Sequence, residues 1–282
     1  MAYNKELLNE FIEKRSDNNY YSNFIKSLNG SYQFELIWNY INKYLPPEES
    51  MILDIGIDPA IFSEKIAQGN RSITIGDISD EQLKITREKF EKLSLSNKID
   101  QFALIDDITQ LNHFENNTFD LIISLFGTLS FTCEKRHKFL NELIRILKNG
   151  APIIFTVKNK INYLHNLLHN NPIQFLQNPE RSGIWEILES NIKQHEDFPD
   201  EPAYYCFNSN ELVDFVMKNR CDVLEVTAIN CLETLPNKGL VKIKENKTTW
   251  KNLLEIEEKI SKDKGLLESG AEILLVARKS FF

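Results

Sequence analysis

Short apolar runs alternate with helical patterns along the first two thirds of the chain. Each run is rich in Ile, Leu, Val or Phe and only a few residues long, which is typical of a buried strand. Between and before the runs, apolar residues recur at helical spacing. Strands that alternate with helices indicate a parallel sheet covered by helices on both faces. The predicted strands are 51–55, 72–76, 99–105, 119–125 and 152–157, and the predicted helices are 32–45, 59–68, 79–93 and 134–148. Ser79 and Gln82, three residues apart, predict a capping box at the start of the third helix.

The regular alternation stops after Lys158. Residues 160–205 are polar and partly helical, and we predict that they form a cap inserted over the site. We therefore expect an N-terminal helical segment over 1–45 that covers the site, and one α/β domain over 46–282. The pattern after the insertion predicts a helix, a strand, a second helix and a last strand, over 208–217, 223–229, 247–262 and 271–277.

Composition narrows the classes of function. The 41 acidic and 33 basic residues give a net charge of −8, which argues against sequence-independent nucleic-acid binding and favours a small-molecule substrate. No apolar stretch reaches the length of a membrane span, and residues 1–15 are too polar for a signal peptide. We therefore expect a cytoplasmic protein with no membrane partner, and the oligomeric state stays open.

Residues that commonly bind metals are scattered along the chain. His165 and His169 lie four residues apart and share a predicted helix face, but no third ligand accompanies them. We therefore predict no metal site. The cysteines form no close pair and indicate neither zinc nor a disulfide framework; they are Cys133, Cys206, Cys221 and Cys231.

Chemically useful side chains follow the predicted strands. In an open parallel sheet, ligands bind beyond the carboxyl ends of the strands. Asp54 and Gly56 follow the first strand, and the glycine allows a ligand to approach the backbone closely. Asp77 follows the second strand, where its carboxylate can accept hydrogen bonds from ribose hydroxyls. Asp106 and Asp107 follow the third. Two acids after the first two strands, roughly twenty residues apart, suit a nucleoside ligand.

Five motifs between residues 50 and 158 resemble those of the class I S-adenosylmethionine-dependent methyltransferases, in the order and spacing of that family. They are Leu53-Asp54-Ile55-Gly56, Gly76-Asp77-Ile78-Ser79, and the segments 107–111, 119–124 and 142–150. The resemblance implies S-adenosylmethionine as cofactor and a Rossmann-like, doubly wound sheet of seven strands, mostly parallel with an antiparallel last strand. It also implies methyl transfer to a small-molecule acceptor by in-line displacement.

The resemblance also implies roles for individual residues. Asp77 would bind the ribose, Asp107 the adenine amino group, and the backbone amide of Ile108 the adenine ring. The further cofactor contacts would be Asp54, Ile55, Gly56, Ile78 and Leu125. For the acceptor we expect contacts from Tyr20, Tyr21, Phe126, Thr128 and Asn159. Catalytic residues stay unassigned, because spacing favours no general base among His113, His165, Tyr20, Tyr21 and Lys158.

The turn after the first strand departs from the family pattern Gly-x-Gly-x-Gly. Asp58 and Ala60 replace its second and third glycines. Asp58 could face the positive charge of the cofactor or block its slot, so a catalytically impaired relative that acts as a binding or assembly partner is an alternative. A nicotinamide-dependent oxidoreductase would share the ribose-binding acid, but the chain lacks the Gly-x-Gly-x-x-Gly turn and a catalytic Tyr-x-x-x-Lys. Asp106 is the alternative adenine contact, and structural roles in turns or helix caps stay open for Asp54, Asp77 and Asp107.

Overall fold

The computed structural model describes residues 3–16, 23–69, 71–170, 172–177, 184–193, 202–232 and 237–281. The strands of this part of the chain are β1 (Met51–Gly56), β2 (Ser72–Asp77), β3 (Ile99–Leu104), β4 (Leu121–Ser124), β5 (Pro152–Lys158), β6 (Ile192–Lys193), β7 (Tyr204–Tyr205), β8 (Cys221–Ile229) and β9 (Glu272–Lys279). Seven of them form one sheet with the order β3-β2-β1-β4-β5-β9-β8. Strands β1 to β5 pair in parallel, whereas β9 is antiparallel to both β5 and β8. The predicted fold class is confirmed.

Helices cover both faces of this sheet. Those of the described residues are α1 (Lys5–Ser16), α2 (Leu28–Tyr44), α3 (Ile61–Ile66), α4 (Asp80–Lys92), α5 (Thr128–Phe131), α6 (Arg136–Ile146), α7 (Lys160–Asn170), α8 (Pro172–Gln177), α9 (Ile184–Ser190), α10 (Ser209–Lys218), α11 (Asn237–Glu245) and α12 (Lys247–Ile260). Helices α7 to α9 and the short β6-β7 pair lie within the predicted insertion. The division of the chain into a covering segment, a main domain and a cap stays a prediction.

The central strands are buried on both faces, which explains why they are almost continuously apolar. Successive side chains of a strand point to opposite faces. Leu53 of β1 packs in the core beneath α1, α6 and α10, whereas Ile52 packs in the core beneath α2, α3 and α12. The same alternation places Phe155 of β5 in the first core and Ile154 in the second. Two hydrophobic layers therefore hold the sheet and leave its carboxyl edge for polar side chains.

Element boundaries differ from the sequence predictions where local hydrogen bonds decide them. Helix α2 begins at Leu28, four residues before the predicted start, because the Ser27 hydroxyl accepts a bond from the Gly30 amide and caps the helix. Strand β4 is shorter than the predicted 119–125, since Phe119 forms only an isolated bridge with Leu147. Helices α5 and α11 were not predicted: α5 is a single turn, and α11, although amphipathic, has only nine residues.

A buried carboxylate connects three elements on the second face. Glu257 of α12 is fully buried, and its oxygens accept bonds from the Tyr32 hydroxyl of α2 at 2.9 Å and from the amides of Cys231 at 2.6 Å and Leu232 at 3.1 Å. These donors lie far apart in sequence. Glu257 therefore fixes α2 and α12 to the segment that follows β8.

We expect Glu257→Ala to lower the free energy of unfolding by about 3 kcal/mol or more, because it leaves three buried donors without a partner. Urea unfolding measures this loss. The exposed Glu255 on the same helix provides the control, and Glu255→Ala should change stability by less than about 0.5 kcal/mol. Equal losses in the two variants would contradict the role of the Glu257 network.

Candidate functional site

Three carboxylates are buried at the carboxyl ends of β1 and β2. Asp54, Asp58 and Asp77 are 5%, 7% and 2% exposed. Asp54 Oδ2 accepts a bond from the Ser63 hydroxyl at 2.6 Å. Asp77 Oδ1 accepts one from the Ser79 amide at 2.8 Å. None of the three carboxylates forms an ion pair with a Lys or Arg of the described segments. The carboxyl ends of β1 and β2 therefore hold closely spaced acids without an ion-pair partner among the described residues, although the charge of Lys89 acts against the rise in the pKa of Asp58.

Burial raises the pKa of all three acids. The pKa of Asp54 rises well above its ordinary value because of burial and the charge of Asp58, although the bond from Ser63 opposes the change. Burial raises the pKa of Asp58 to about 6, and the amides of Ile61 and Ala60 work against it. Burial likewise raises the pKa of Asp77. Removing these groups from water thus disfavours their charged forms.

The turn after β1 keeps the backbone shape that its glycine pattern predicts. A Cβ atom on Gly56 would lie 2.9 Å from Thr128 Oγ1 and 3.4 Å from Asp58 Oδ2, so no larger residue fits at this position. Ala60 adopts the left-handed conformation, with φ 49° and ψ 47°, which costs an alanine roughly 1 kcal/mol relative to glycine. Its amide donates to the Asp58 carbonyl at 2.8 Å. The replacement of glycine by Ala60 is therefore accommodated without a change of turn.

The capping pair at the start of α4 differs from its predicted form. The Ser79 hydroxyl accepts a bond from the Gln82 amide at 3.2 Å, which confirms Ser79 as the cap. The Gln82 side chain does not reach back to the Ser79 amide; its Nε2 donates to Asp77 Oδ2 at 3.3 Å. The Asp77 carboxylate accepts the hydrogen bond from the Ser79 amide instead, because a carboxylate is a stronger acceptor than a side-chain amide.

Asp107 follows β3 in a tight turn. Its carboxylate accepts bonds from the Thr109 amide at 2.9 Å and from Gln110 Nε2 at 3.0 Å, and Lys135 Nζ lies 3.9 Å away. Burial raises the pKa of Asp107, but these hydrogen bonds outweigh it and hold the pKa below its ordinary value. Asp106 is exposed, whereas Asp107 is half-buried. Only Asp107 is thus oriented by the turn, and its contact with adenine stays a prediction.

Helix α1 lies over the ends of β2 and β3. Its Leu8 and Ile12 are buried in the same core as Ile78 and Ile108. The Ser16 hydroxyl donates to Gln82 Oε1 at 2.5 Å, next to the Gln82 contact with the buried acid of β2.

Tyr3, just before α1, is held between the ends of β3 and β4. Its amide donates to the Glu134 carboxylate at 2.9 Å. Burial and the charge of Asp107 raise the pKa of its phenol, and the Ile108 backbone opposes the change. The Tyr3 hydroxyl has no hydrogen-bond partner of good geometry in the described part of the chain. The phenol therefore occupies the place at which the sequence predicts adenine.

A cavity of about 340 Å³ opens beside the turn after β1. Its polar lining includes Arg15 of α1, Lys158 at the end of β5 and Glu272 at the start of β9. Its volume is within the range of small-molecule sites. Aromatic rings form much of its wall, from Phe11, Phe24, Phe126, Phe131 and Tyr204.

The residues predicted for the acceptor are only partly brought together. Phe126 lines the cavity. Thr128 is buried beneath Gly56 and donates to the Leu125 carbonyl at 2.8 Å. Asn159 is buried as the cap of α7, where its Oδ1 accepts from the Ile161 amide. The two tyrosines predicted for the same role, Tyr20 and Tyr21, lie outside the described residues.

Two residues of the cavity were missed by the sequence reasoning. Glu272 reaches it only because β9 runs antiparallel to β5 and pairs Glu272 with Lys158. Arg15 reaches it because α1 folds back over the sheet. Of the general bases considered, Lys158 lines the cavity, whereas His113 and His165 are exposed and do not. In the sequence, a Lys at the end of the apolar strand β5 was the signal that could have indicated this part of the cavity. Its partner Glu272 could be identified only once the pairing of β9 with β5 was known.

Comparisons with known proteins agree with the motif analysis. A family model described as a methyltransferase domain matches residues 52–150. The ubiquinone/menaquinone biosynthesis C-methyltransferase of Pseudoalteromonas translucida (strain TAC 125) is 34% identical over 95 residues, which are 34% of this chain and 36% of that protein. The chain spans about a third of the length of the curated relatives it matches.

Solved structures share the fold at low sequence identity. The geranyl diphosphate C-methyltransferase of Streptomyces coelicolor A3(2), solved with Mg²⁺, geranyl diphosphate and S-adenosyl-L-homocysteine, has a TM-score of 0.56 at 12% identity and covers 93% of this chain and 86% of its own. The cyclase SpnF has a TM-score of 0.54 at 15% identity and covers 87% and 81%. Since one of these proteins is described as a cyclase, the fold does not by itself decide the reaction. Each helix in the described ranges is too short or too polar to cross a bilayer.

We expect Asp58→Asn to stabilise the protein increasingly as the pH rises. The pKa of Asp58 in the folded protein, about 6, lies above its unfolded value, so the native protein loses stability as Asp58 ionises with rising pH. Between pH 4.5 and 7.5 the gain of the variant should grow by about 2–3 kcal/mol, since one pKa unit corresponds to about 1.4 kcal/mol. Urea unfolding at several pH values measures it. Asp100→Asn on the exposed side of β3 is the control, and a gain that does not vary with pH would refute the shifted pKa.

Proposed function

We propose that this chain, whose residues 52–150 form a methyltransferase domain of the class I S-adenosylmethionine-dependent family, transfers a methyl group from S-adenosylmethionine to a small-molecule acceptor. S-adenosylmethionine is the cofactor of that domain family. The observation that carries the proposal is the group of buried acids beside Gly56. Asp54, Asp58 and Asp77 have raised pKa values at the edge where the fold places a ligand.

The residues present fit this cofactor. Carboxylates that are buried without a cation favour a positively charged ligand, because its charge offsets their loss of hydration. S-adenosylmethionine carries a sulfonium and an ammonium group, and its methyl is activated for displacement without help from the protein. Asp58, which the glycine pattern marks as an obstacle, then faces a cation. Each oxygen of Asp77 accepts one bond from the protein and retains a lone pair for a ribose hydroxyl.

The predicted contacts divide along the sheet. We assign the ribose to Asp77 and Ile78, the adenine to Asp107 and Ile108, and the methionyl part to the segment 54–56 with Leu125. Because Tyr3 occupies the place next to Asp107 and Ile108, α1 must shift before adenine can bind there. The remaining work of the protein is to hold the acceptor in line with the methyl group, which can supply most of the acceleration.

The aromatic cavity supports an apolar acceptor. Rings such as Phe126 and Phe131 bury apolar surface and stack on flat ligands. The relative from Pseudoalteromonas translucida is named for quinone biosynthesis, and the Streptomyces coelicolor enzyme for geranyl diphosphate. We propose an acceptor that is likewise small and largely apolar. The net charge of −8 supports a small molecule over a nucleic acid, and four free buried cysteines support a reducing compartment such as the cytoplasm.

A ligand-binding protein without methyl transfer is the second candidate. It is favoured by α1, which covers Asp77 and Asp107 with packed apolar side chains, and by the cyclase that shares the fold. Calorimetry with S-adenosylmethionine and S-adenosylhomocysteine separates the two. No binding at millimolar ligand would refute the methyltransferase proposal.

We expect Asp77→Asn to weaken the binding of S-adenosylhomocysteine at least tenfold, which corresponds to about 1.4 kcal/mol. The cause is the loss of the charged acceptor for two ribose hydroxyls. Isothermal titration calorimetry measures the dissociation constant. The matched control is Asp80→Asn, at an exposed position three residues later, which should leave the affinity within twofold. Unchanged affinity in Asp77→Asn would remove this residue from the site.

We expect the affinity for S-adenosylmethionine, relative to S-adenosylhomocysteine, to increase as the pH rises from 5 to 7.5. Asp58 loses its proton as the pH passes its pKa of about 6, and only the charged carboxylate attracts the sulfonium. The two ligands share every other ionisable group, so the ratio of their dissociation constants isolates this effect. The ratio should become independent of pH in Asp58→Asn. A ratio that stays constant in the wild-type protein would show that Asp58 does not face the sulfonium.

A further inference from the structure

Glu272 is a buried carboxylate with one oxygen unused. It is the first residue of β9 and stands opposite Lys158, the last residue of β5, in the antiparallel register. Lys158 Nζ donates to Glu272 Oε1 at 2.5 Å. Glu272 is 3% exposed, and its Oε2 has no hydrogen-bond partner among the residues that the structure describes. A buried acceptor without a partner is costly, which points to a donor other than the residues that the structure describes.

The lysine side chain is fixed in this arrangement. Lys158 passes over Gly127, where an added Cβ atom would lie 2.7 Å from Lys158 Cε. Gly127 also has φ +83°, a conformation that favours glycine. Gly127 therefore leaves the space through which Lys158 reaches Glu272, and the ion pair lies at the wall of the cavity that both residues line, with the unused oxygen buried just behind that wall.

The sheet order places this pair on the side of the acceptor. Asp77 lies on β2 and Glu272 on β9, and β1, β4 and β5 separate the two strands. With about 4.8 Å between neighbouring strands, β2 and β9 are roughly 19 Å apart. A nucleoside ligand held at Asp77 extends from β2 toward the boundary between β1 and β4. Glu272 therefore lies beyond the reactive end of such a ligand.

The neighbouring charges restrict what Glu272 can bind. Lys158 is already paired with Glu272, so the pair carries no net charge to attract a cationic acceptor, and Arg15 adds a positively charged residue to the lining. An anionic acceptor would meet Glu272 itself. A neutral molecule with a hydrogen-bond donor satisfies Oε2 without either conflict. Aromatic rings such as Phe126, Phe131 and Tyr204 complete a surface for a flat apolar body.

We propose that Glu272 binds and deprotonates the hydroxyl group of a neutral, apolar acceptor of the phenol or enol class, and that Lys158 positions Glu272 for this step. This inference rests on the proposed methyl transfer. A phenol has an ordinary pKa of about 10 and keeps its proton at neutral pH, so a base is required before it can attack. A carboxylate next to the hydroxyl supplies that base.

The step balances as a displacement. The O–H bond of the acceptor breaks, and its proton goes to Glu272 Oε2. The electron pair of that bond forms the new bond to the methyl carbon, either from the oxygen or, through the conjugated ring, from the carbon next to it. The carbon–sulfur bond of the donor breaks, and its electrons stay on sulfur. When the carbon is methylated, its hydrogen leaves as a proton to water, the electron pair of that C–H bond restores the ring, and the ring oxygen takes back the proton held by Glu272.

The test uses 4-propylphenol and its methyl ether as probes of the cavity. Calorimetric titrations of the full chain, with and without S-adenosylhomocysteine, measure both affinities. We expect the wild-type protein to bind the phenol at least tenfold more tightly than the ether. In Glu272→Gln the amide oxygen stays with Lys158, and the NH₂ group faces the ligand as a donor, so the preference should fall below threefold.

Two further variants complete the test. Lys158→Met should also lose the preference, because the Glu272 carboxylate loses the ammonium partner that holds it in place. Glu255→Gln, exposed on α12, should keep it. Circular dichroism melts verify that each variant is folded. The affinity for S-adenosylhomocysteine should stay within threefold in all of them, since Glu272 lies on the acceptor side.

The outcomes separate this inference from the proposed function. If S-adenosylhomocysteine does not bind the wild-type protein, the methyltransferase proposal fails, and the titrations without it still decide the role of Glu272. If the wild-type protein binds the phenol and the ether equally, or binds neither, the inference is wrong. A preference that survives in a folded Glu272→Gln also overturns it.

Discussion

The exclusion of water from the acids at the ends of β1 and β2 is the constraint on which the site depends. Two apolar layers bury the sheet so completely that Asp54, Asp58 and Asp77 share their surroundings with hydrophobic side chains. Such groups resist ionisation in the absence of a positive charge. Burying these acids lowers the stability of the ligand-free protein, and a bound cation would offset that loss. The same burial explains both a free-energy penalty for the isolated protein and a preference for a charged cofactor.

Acids occupy both halves of the carboxyl edge of the sheet. On the side of β2 they have no ion-pair partner within the described residues, whereas on the side of β9 Glu272 pairs with Lys158, and the charge of Glu272 still contributes to the raised pKa of Asp58. Under the proposed function, the cationic donor and the neutral acceptor would have separate places along this edge. A glycine lies on each of the two sides, Gly56 near β1 and Gly127 near β5. In both places the missing Cβ atom leaves space for a neighbouring side chain.

The positions of the sheet strands and of the acids at their ends could be predicted from the sequence, because each strand is a short apolar run and each acid lies at or near the carboxyl end of one. The cap by Ser79 was readable for the same reason, since it depends on residues three apart. Contacts between distant segments were not readable. The bond from Ser16 to Gln82 spans 66 positions and the ion pair of Lys158 with Glu272 spans 114, and neither leaves a local pattern. The sequence does not distinguish the two roles of a polar residue such as Asn159, because a helix cap and a ligand contact use the same residue type; its contact with the acceptor stays a prediction.

Helix α1 has a consequence for the speed of ligand exchange. A cover that contributes Leu8 and Ile12 to the hydrophobic core is released only when that packing is broken. Under the proposed function, association and product release share one gate, and its opening rate sets an upper limit on turnover regardless of how fast the chemistry is.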